Sequence, residues 1–313
     1  MLSTNNQDQN YLKNLSGKKF LITGYDGMLG SSFLSQLKKY IENPKVYYFN
    51  KSNLDVTNTN SFVKYKDLKP DFIIHCAALV NADFCEKNKE DGIANILEGT
   101  KNIMNFAKIN NSKVFYPQSF LIYDETNEIV NEKTIPKPLS IYGSLKLEAE
   151  NIVLKSSNNS LIVRMGGFFG GEKKDKNFVG KIVPHISNLI KQGKNQIDIG
   201  DRIWQPTFTE DLAYNSLILL ANNKSGKYNM ASHGSCSFFE LTYEILKILN
   251  ISKIFNINKI SAKILSKNEI AKRPKSLIME NSRLDNENLD RQRNWKISLK
   301  EYLKRPYFKY LFI

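Results

Sequence analysis

Four tyrosines in the chain are followed four positions later by a lysine, an arrangement that can support proton transfer. The pairs are Tyr47/Lys51, Tyr65/Lys69, Tyr142/Lys146 and Tyr243/Lys247. On a helix, residues four apart lie on one face, where a lysine ammonium lowers the proton affinity of the phenol. The phenol can then give a proton to a carbonyl that receives hydride from a cofactor. Spacing alone does not select a pair, because about two are expected by chance in so Tyr- and Lys-rich a chain.

Five short runs have the composition of buried parallel strands, since each is brief and rich in β-branched or aromatic residues. They span residues 18–23, 45–50, 71–76, 112–117 and 160–165. Apolar residues at helical spacing separate the first two runs and again the third and fourth. They are Leu29, Phe33, Leu37 and Ile41, and then Ile93, Leu97, Ile103 and Phe106. This alternation predicts an α/β fold with a Rossmann-type doubly wound parallel sheet.

The rhythm of strands and helices also predicts how the chain is divided. Residues 1–16 are polar and are expected to form a loose, flexible tail. Residues 17–166 are expected to form the NAD(P)-binding Rossmann domain, to which the chain returns near 208–232. After about residue 166 the pattern breaks into Gly- and Lys-rich loops, so 167–313 is expected to form mainly a smaller C-terminal lobe.

The predicted sheet distinguishes one Tyr–Lys pair from the others. The first pair straddles a strand end, the second lies on a polar helix and the fourth falls in the far lobe. Only Tyr142/Lys146 follows the fourth strand, and ligands of such sheets bind beyond the carboxyl ends of the strands. Ser119 is the only hydroxyl besides the tyrosines in YPQSFLIYDE, where a group that polarises a carbonyl is needed. An ordinary surface pair is the alternative interpretation of Tyr142/Lys146.

A glycine-rich turn connects the first strand to the first apolar helix. Gly24, Gly27 and Gly30 are three residues apart in TGYDGMLG, and Met28 and Leu29 lie within the turn. Glycine allows a tight turn and close backbone approach, while the helix N-terminus offers free N–H groups to a pyrophosphate. The turn therefore predicts a dinucleotide site that includes Met28 and Leu29, with a Gly-rich turn that binds no ligand as the alternative.

The end of the second strand indicates which dinucleotide is bound. NAD sites usually carry an acid there for the ribose 2′-hydroxyl, whereas a 2′-phosphate prefers a basic or small residue. The sequence is Phe49-Asn50-Lys51-Ser52, with no acid before Asp55. This favours NADP with Lys51 near its 2′-phosphate, and leaves NAD as the alternative if Lys51 is only a solvated surface lysine.

Composition excludes several other classes of protein. The net charge is +14, but only seven residues are arginine, so nucleic acid is not expected as a partner. The polar N-terminus and short apolar runs predict neither a signal peptide nor a membrane span. Three scattered cysteines and three scattered histidines indicate no metal site and no disulfide framework, as is typical of a cytoplasmic protein.

Ordered motifs over residues 17–303 resemble the extended short-chain dehydrogenases/reductases, and among them the dTDP-4-dehydrorhamnose reductases. The motifs are TGYDGMLG, LDVTN, KPDFIIHCAALVNADFCE, NILEGTKN, PLSIYGSLKLEAE, IVRMGGFFGG, DKNFVGKI, QPTFTEDLA, GKYNMAS, RPKSLIMENSRLD and NWKISLKEYL. The resemblance implies NAD(P)H-dependent reduction of a 4-keto-6-deoxy nucleotide sugar for surface polysaccharide synthesis, and it allows a homodimer. A nucleotide-sugar epimerase and a non-catalytic NADP-binding regulatory subunit are the alternatives.

The resemblance also implies roles for residues around the cofactor. Tyr142 would be the proton donor and Lys146 would bind the ribose. The other matching positions are Asp55 near the adenine, Ala77 and Ala78 behind the cofactor, and Asn95 as a support for the lysine.

The same resemblance implies that the C-terminal lobe, 167–313, is mainly a substrate-binding lobe, and it implies a set of substrate-binding residues. Arg273 of the RP motif would contact the nucleotide diphosphate, with a structural salt bridge as the alternative. Lys176, Asn177 and Thr207 would line the sugar pocket, with a role as loop-stabilising polar residues as the alternative.

Two positions depart from the family pattern. The hydroxyl position after the fourth strand is filled by Gln118 in one register and by Ser119 in the other, and a hydroxyl is the better polarising donor. Trp204 stands where many relatives have glycine, which predicts a reshaped sugar pocket.

Overall fold

The computed structural model describes residues 6–124 and 129–312, which fold into alternating strands and helices. The strands are β1 (Lys19–Thr23), β2 (Lys45–Phe49), β3 (Phe72–His75), β4 (Lys113–Ser119), β5 (Leu161–Met165), β6 (Phe168–Phe169), β7 (Gln196–Gly200), β8 (Ile203–Trp204), β9 (Thr207–Phe208), β10 (Gly226–Met230), β11 (Cys236–Ser237) and β12 (Asn256–Ile260). The helices are α1 (Asn6–Lys13), α2 (Met28–Tyr40), α3 (Ala82–Lys87), α4 (Lys89–Gly92), α5 (Gly99–Asn110), α6 (Ile141–Ser156), α7 (Phe178–Lys191), α8 (Thr209–Ala221), α9 (Phe238–Ile248), α10 (Ala262–Leu265), α11 (Ser282–Asn286), α12 (Trp295–Leu303) and α13 (Pro306–Tyr310). A π-helix spans Ile93–Glu98, and 3₁₀ segments span Thr59–Tyr65, Phe120–Ile122, Glu172–Lys174 and Ser266–Asn268.

Six strands form the central sheet, in the order β2-β1-β3-β4-β5-β10. Each neighbouring pair is parallel. Five of these strands lie in the runs that the sequence predicts, with ends that differ by no more than a few residues. The predicted doubly wound parallel sheet is therefore confirmed.

Alternating side chains of the strands pack into two different cores. Phe20 and Ile22 of β1 lie in one core with residues of α2 and α8, whereas Leu21 lies in the other with residues of α5 and α6. All three side chains are buried. Helices on both faces explain why the strands are almost continuously apolar, and they leave the strand ends as the edge where a ligand can bind.

The N-terminal segment differs from its prediction. Residues 6–13 form helix α1, so a loose tail is wrong for this part of 1–16, and residues 1–5 lie outside the described range. Leu12 is buried in the core that contains α8. The buried carboxylate of Asp8 accepts hydrogen bonds from the Tyr214 hydroxyl, at 2.9 Å, and from Arg291. The polar sequence conceals the helix because these partners lie more than 200 residues away.

A separate core joins much of the chain after residue 166, where residues of α7, α9 and α12 pack together around Trp204 and Phe208. Trp204 packs closely against Gly167, two residues after β5. A side chain would not fit at position 167, since a Cβ there would lie 2.3 Å from Cε3 of Trp204. The domain boundary near residue 166 stays a prediction. Among the described helices, none is long and apolar enough to cross a bilayer.

Candidate active site

The glycine-rich turn is packed so closely that side chains would not fit at two of its positions. Gly24 has φ +65°, and a Cβ there would lie 2.8 Å from the backbone nitrogen of Ala77. A Cβ on Gly30 would lie 2.3 Å from the carbonyl oxygen of Gly24. Gly27 is the N-cap of α2, so the first turn of this helix presents backbone N–H groups beside a surface free of side chains. These features fit a dinucleotide pyrophosphate.

Replacing Gly30 by alanine is expected to destabilise the protein and weaken dinucleotide binding. The added methyl group would clash with fixed backbone atoms, so α2 would have to move away from the turn. Overpacking of this kind costs about 1–3 kcal/mol of unfolding free energy, which urea denaturation measures. Gly27→Ala is the matched control, because its φ is −77° and its Cβ would meet the nearest atom at 3.3 Å. Equal stability of Gly30→Ala and Gly27→Ala would contradict this close packing of the turn.

Tyr142 and Lys146 lie on the first turns of α6, and the structure buries both side chains. The helix begins where the Ser140 hydroxyl accepts a hydrogen bond from the Gly143 N–H, at 3.1 Å. A Cβ on Gly143 would lie 2.3 Å from the carbonyl oxygen of Leu121, so α6 packs tightly on the loop after β4. Sequence, capping and packing together hold the phenol and the ammonium at the carboxyl end of β4.

Ser119, at the end of β4, is next to the phenol. The Ser119 hydroxyl oxygen accepts a hydrogen bond from the Leu121 N–H at 3.1 Å. Burial raises the pKa of Tyr142 to about 12, and the neighbouring Ser119 hydroxyl acts to lower it. The phenol is therefore protonated at neutral pH, which is the form that can give a proton.

Lys146 is held by strand β4. Its Nζ donates to the Tyr116 hydroxyl at 2.7 Å and to the Pro117 carbonyl at 2.8 Å. Burial lowers the pKa of Lys146 to about 7, and the negative charge of Glu150 acts to raise it. Because the charged and neutral forms are about equally populated near pH 7, ligands and partners of this amine control its protonation.

Gln118 has a different role from the adjacent serine. Its buried amide nitrogen donates to the Lys146 carbonyl at 2.9 Å and to Glu150 at 3.0 Å, and its oxygen accepts from the Ser119 N–H. Glu150 is itself paired with the buried Arg164. Gln118 thus ties β4 to α6, and the geometry favours Ser119 as the group that would polarise a carbonyl.

The other predicted cofactor residues surround the glycine-rich turn or lie at the end of β2. Ala77 is half-buried and its N–H donates to Thr23 Oγ1 at 3.1 Å, while Ala78 is exposed. Lys51 is exposed just after β2. One carboxylate oxygen of Asp55 accepts from both the N–H and the hydroxyl of Thr57. Contacts of these residues with a dinucleotide stay a prediction.

Asn95 lies in the π-helix Ile93–Glu98, and its side-chain amide donates to the Asp91 carbonyl one turn earlier, at 2.8 Å. The hydrogen bonds that the structure gives the Lys146 ammonium are donated to Tyr116 and Pro117. Support of the lysine by Asn95 stays a prediction.

Arg273 forms the structural salt bridge that was the alternative to a diphosphate contact. Its guanidinium donates to Asp83 at 3.0 Å and to the Ala271 carbonyl at 3.0 Å. Asp83 also accepts from the Ala271 N–H. The hydrogen bond from Arg273 lowers the pKa of the Asp83 carboxyl, so this ion pair fastens the segment around residue 272 to α3.

The three predicted sugar-pocket residues differ in availability. Thr207 is fully buried, and its hydroxyl donates to the Gln205 carbonyl and accepts from the Ser232 N–H, each at 3.0 Å. A contact of Thr207 with a sugar is therefore wrong, because no surface or donor is left for it. The Asn177 amide donates to the Phe168 carbonyl at 2.7 Å, as a loop-stabilising residue would. Lys176 is exposed and stays a candidate.

Sequence reasoning missed two buried neighbours of Lys146. In the sequence, Tyr116 looks like any other aromatic residue of a strand. The one signal for its position was the two-residue period of β4, which places Tyr116 on the same face as Gln118. His75 ends β3, and its Nδ1 lies 2.9 Å from Thr23 Oγ1. Burial and the charge of Lys146 lower the pKa of His75 to about 3, so the imidazole is neutral.

A parallel dinucleotide-binding sheet with a Tyr–Lys–Ser cluster at its strand ends defines an extended short-chain dehydrogenase/reductase. The family model described as RmlD substrate binding domain matches residues 18–308. The chain belongs to this family, which confirms the resemblance drawn from the motifs.

Three relatives illustrate the range of the family. The dTDP-4-dehydrorhamnose reductase of Aggregatibacter actinomycetemcomitans is 27% identical over 72% of this chain and 78% of that protein. The crystal structure of the Bacillus anthracis dTDP-4-dehydrorhamnose reductase in complex with NADP is 26% identical, with a TM-score of 0.83 over 91% of this chain and 98% of that chain. Methionine adenosyltransferase 2 subunit beta of Xenopus tropicalis is 24% identical over 76% of this chain and 74% of that protein.

Proposed function

We propose that this protein reduces the 4-keto group of a 4-keto-6-deoxy sugar carried on a nucleotide diphosphate, with NADPH as the reductant. The observation that carries the proposal is the cluster of the buried Tyr142 and Lys146 with the half-buried Ser119 at the carboxyl end of β4, together with a glycine turn that has no room for side chains at Gly24 and Gly30. The names of the dTDP-sugar reductases among the relatives support the substrate class.

Each residue of the site then has one task. NADPH, when bound, supplies the hydride that the ketone carbon accepts. Backbone N–H groups of the first turn of α2 bind the pyrophosphate, and the Lys146 ammonium binds the ribose hydroxyls. The Ser119 hydroxyl polarises the ketone, and Tyr142 gives its proton to the oxygen as the carbon is reduced.

The raised pKa of Tyr142 suits reduction rather than oxidation. The phenol must be protonated before the reaction, and a pKa of about 12 ensures this at neutral pH. The alkoxide that forms on the sugar is a stronger base than the phenolate, so the transfer is favourable. The charge of Lys146 stabilises the phenolate that remains.

The preference for NADPH is supported by the end of β2. Lys51 is exposed there, and the sequence has no acid between Phe49 and Asp55 that would repel a 2′-phosphate. The cofactor of the Bacillus anthracis relative agrees with this choice.

The proposal also includes a cytoplasmic location for the protein. The three cysteines are free thiols, which supports this location.

Turnover of the purified protein tests the proposal. A panel of dTDP- and UDP-linked 4-keto-6-deoxy sugars is mixed with NADPH or NADH, and cofactor oxidation and sugar products are measured together. We expect one alcohol product for each NADPH oxidised, and slower turnover with NADH.

Two other outcomes would contradict reduction. An isomerised sugar without net loss of NADPH would identify an epimerase. NADPH binding without turnover of any keto sugar, together with a stably associated enzyme, would favour a regulatory subunit such as the relative from Xenopus tropicalis is named to be.

A further inference from the structure

The hydroxyl of Tyr116 is the side-chain partner that the structure gives the Lys146 ammonium. The Nζ atom donates to this hydroxyl at 2.7 Å and lies 4.1 Å from the centre of the same ring. Its second acceptor, the Pro117 carbonyl, is the next residue of β4. Tyr116 is 2% exposed, so its hydroxyl would be left without its donor if Lys146 moved away.

Thr100 is another buried hydroxyl near Tyr116. Burial raises the pKa of the Tyr116 phenol, and the Thr100 side chain acts to lower it. The Thr100 hydroxyl donates to the Ile96 carbonyl at 2.6 Å. Ile96 lies in the π-helix, a helix type that is often found at functional sites. The bond from Lys146 is therefore the short side-chain hydrogen bond that the described structure gives the Tyr116 oxygen.

We infer that Tyr116 is the positioning residue for Lys146, which it holds in the charged form and in place to bind the ribose of the dinucleotide. This inference rests on the proposed reductase function. It assigns to a strand tyrosine a supporting role of the kind that is predicted for Asn95, whose amide is bonded to Asp91.

The groups that face Lys146 determine how its charge responds to pH. At the end of β3, His75 and Cys76 are both neutral at pH 7, because burial lowers the pKa of His75 to about 3 and raises that of Cys76 to about 12. On α6, Tyr142 is also protonated, while Glu150 acts to raise the pKa of Lys146. In addition to Glu150, the Tyr116 oxygen favours the charged form of Lys146, because it accepts a hydrogen bond from the ammonium.

Tyr116→Phe tests the inference, since it keeps the ring in the core and removes only the hydroxyl. NADPH titrations followed by fluorescence between pH 6 and pH 9 are expected to show affinity that is about tenfold weaker at pH 7.5. The pH at which affinity falls is expected to move down by about one unit, because the ammonium loses an acceptor.

The unliganded protein gives a second measurement that does not depend on NADPH. The loss of unfolding free energy in Tyr116→Phe is expected to be larger at pH 6 than at pH 9, because the neutral amine present at high pH depends less on the acceptor. Tyr214→Phe is the matched control. It removes a tyrosine hydroxyl that is bonded to Asp8 at 2.9 Å, and its effect on stability should not vary over this range.

The outcomes separate this inference from the proposed function. Wild-type NADPH affinity and pH dependence in Tyr116→Phe would overturn the inference, and so would an equal loss of affinity and stability at every pH, as a purely structural role predicts. Failure of the wild-type protein to bind NADPH would overturn the proposed function. The pH-dependent stability of Tyr116→Phe would still decide whether its hydroxyl holds the ammonium.

Discussion

Tyr142→Phe is expected to lower kcat by about 10²–10⁴-fold while NADPH affinity changes little. The phenylalanine ring keeps the packing of α6 against its core, so the fold and the glycine turn should be preserved. What is lost is the proton that Tyr142 gives to the ketone oxygen, together with the influence of the Ser119 hydroxyl on the pKa of that phenol. Steady-state kinetics with saturating NADPH and sugar nucleotide measure the loss.

Tyr243→Phe provides a control with the same spacing in a different environment. Tyr243 and Lys247 are also four residues apart on a helix, and Lys247 Nζ lies 4.4 Å from the centre of the Tyr243 ring. This tyrosine is 47% exposed and lies on α9, whose buried apolar residues belong to a separate core, so the substitution should leave kcat unchanged. Activity of Tyr142→Phe within tenfold of the wild type would show that another group supplies the proton.

Lys146→Met is expected to lower kcat/KM on the order of 100-fold, because charge-assisted hydrogen bonds to the ribose and electrostatic support of the phenolate are lost together. NADPH affinity and kcat should both fall, in contrast to the effect of Tyr142→Phe. Fluorescence titration and steady-state kinetics separate these two effects. Lys247→Met is the matched control and should behave as the wild type.

The same substitution has an effect on stability that depends on pH. The pKa of Lys146 is about 7 in the folded protein and about 10.4 for lysine in an unfolded chain. Between these values the unfolded state binds more protons, so the unfolding free energy of the wild type rises with pH relative to Lys146→Met. Unfolding by urea from pH 6 to pH 10 should show this widening difference. Parallel curves for the two proteins would mean that the buried lysine is not desolvated.

Local patterns were sufficient to predict the framework of the site. Strands β1 to β5 follow from short runs of β-branched and aromatic residues, which only a sheet covered on both faces accommodates. The glycine turn follows from its place between a strand and an amphipathic helix. Tyr142 and Lys146 follow from their position after β4, because the carboxyl ends of parallel strands determine where ligands bind.

Contacts between distant segments could not be predicted in this way. Arg273 pairs with Asp83, which is 190 residues away, and the motif that suggested a phosphate contact gave no sign of this ion pair. Thr207 is a polar residue of the kind that lines sugar pockets, yet its hydroxyl is hydrogen-bonded to the backbone of Gln205 and Ser232. The contact between the Tyr116 hydroxyl of β4 and the Lys146 ammonium of α6 could be recognised only in the structure, because the sequences of the two elements do not show that these side chains meet.

Transfer of deuterium would show whether Tyr142, Ser119 and Lys146 surround a ketone that receives hydride from NADPH. Wild-type protein is incubated with a dTDP-linked 4-keto-6-deoxy sugar and NADPH that carries deuterium on one face of nicotinamide carbon four, and the sugar product is analysed by NMR. We expect one of the two labelled faces to deliver a single deuterium to ring carbon four of the product, with none transferred by Tyr142→Phe at matched times. A sugar product without deuterium from both labelled forms of NADPH, an isomerised sugar, or deuterium at any other ring position would rule out this arrangement of the site.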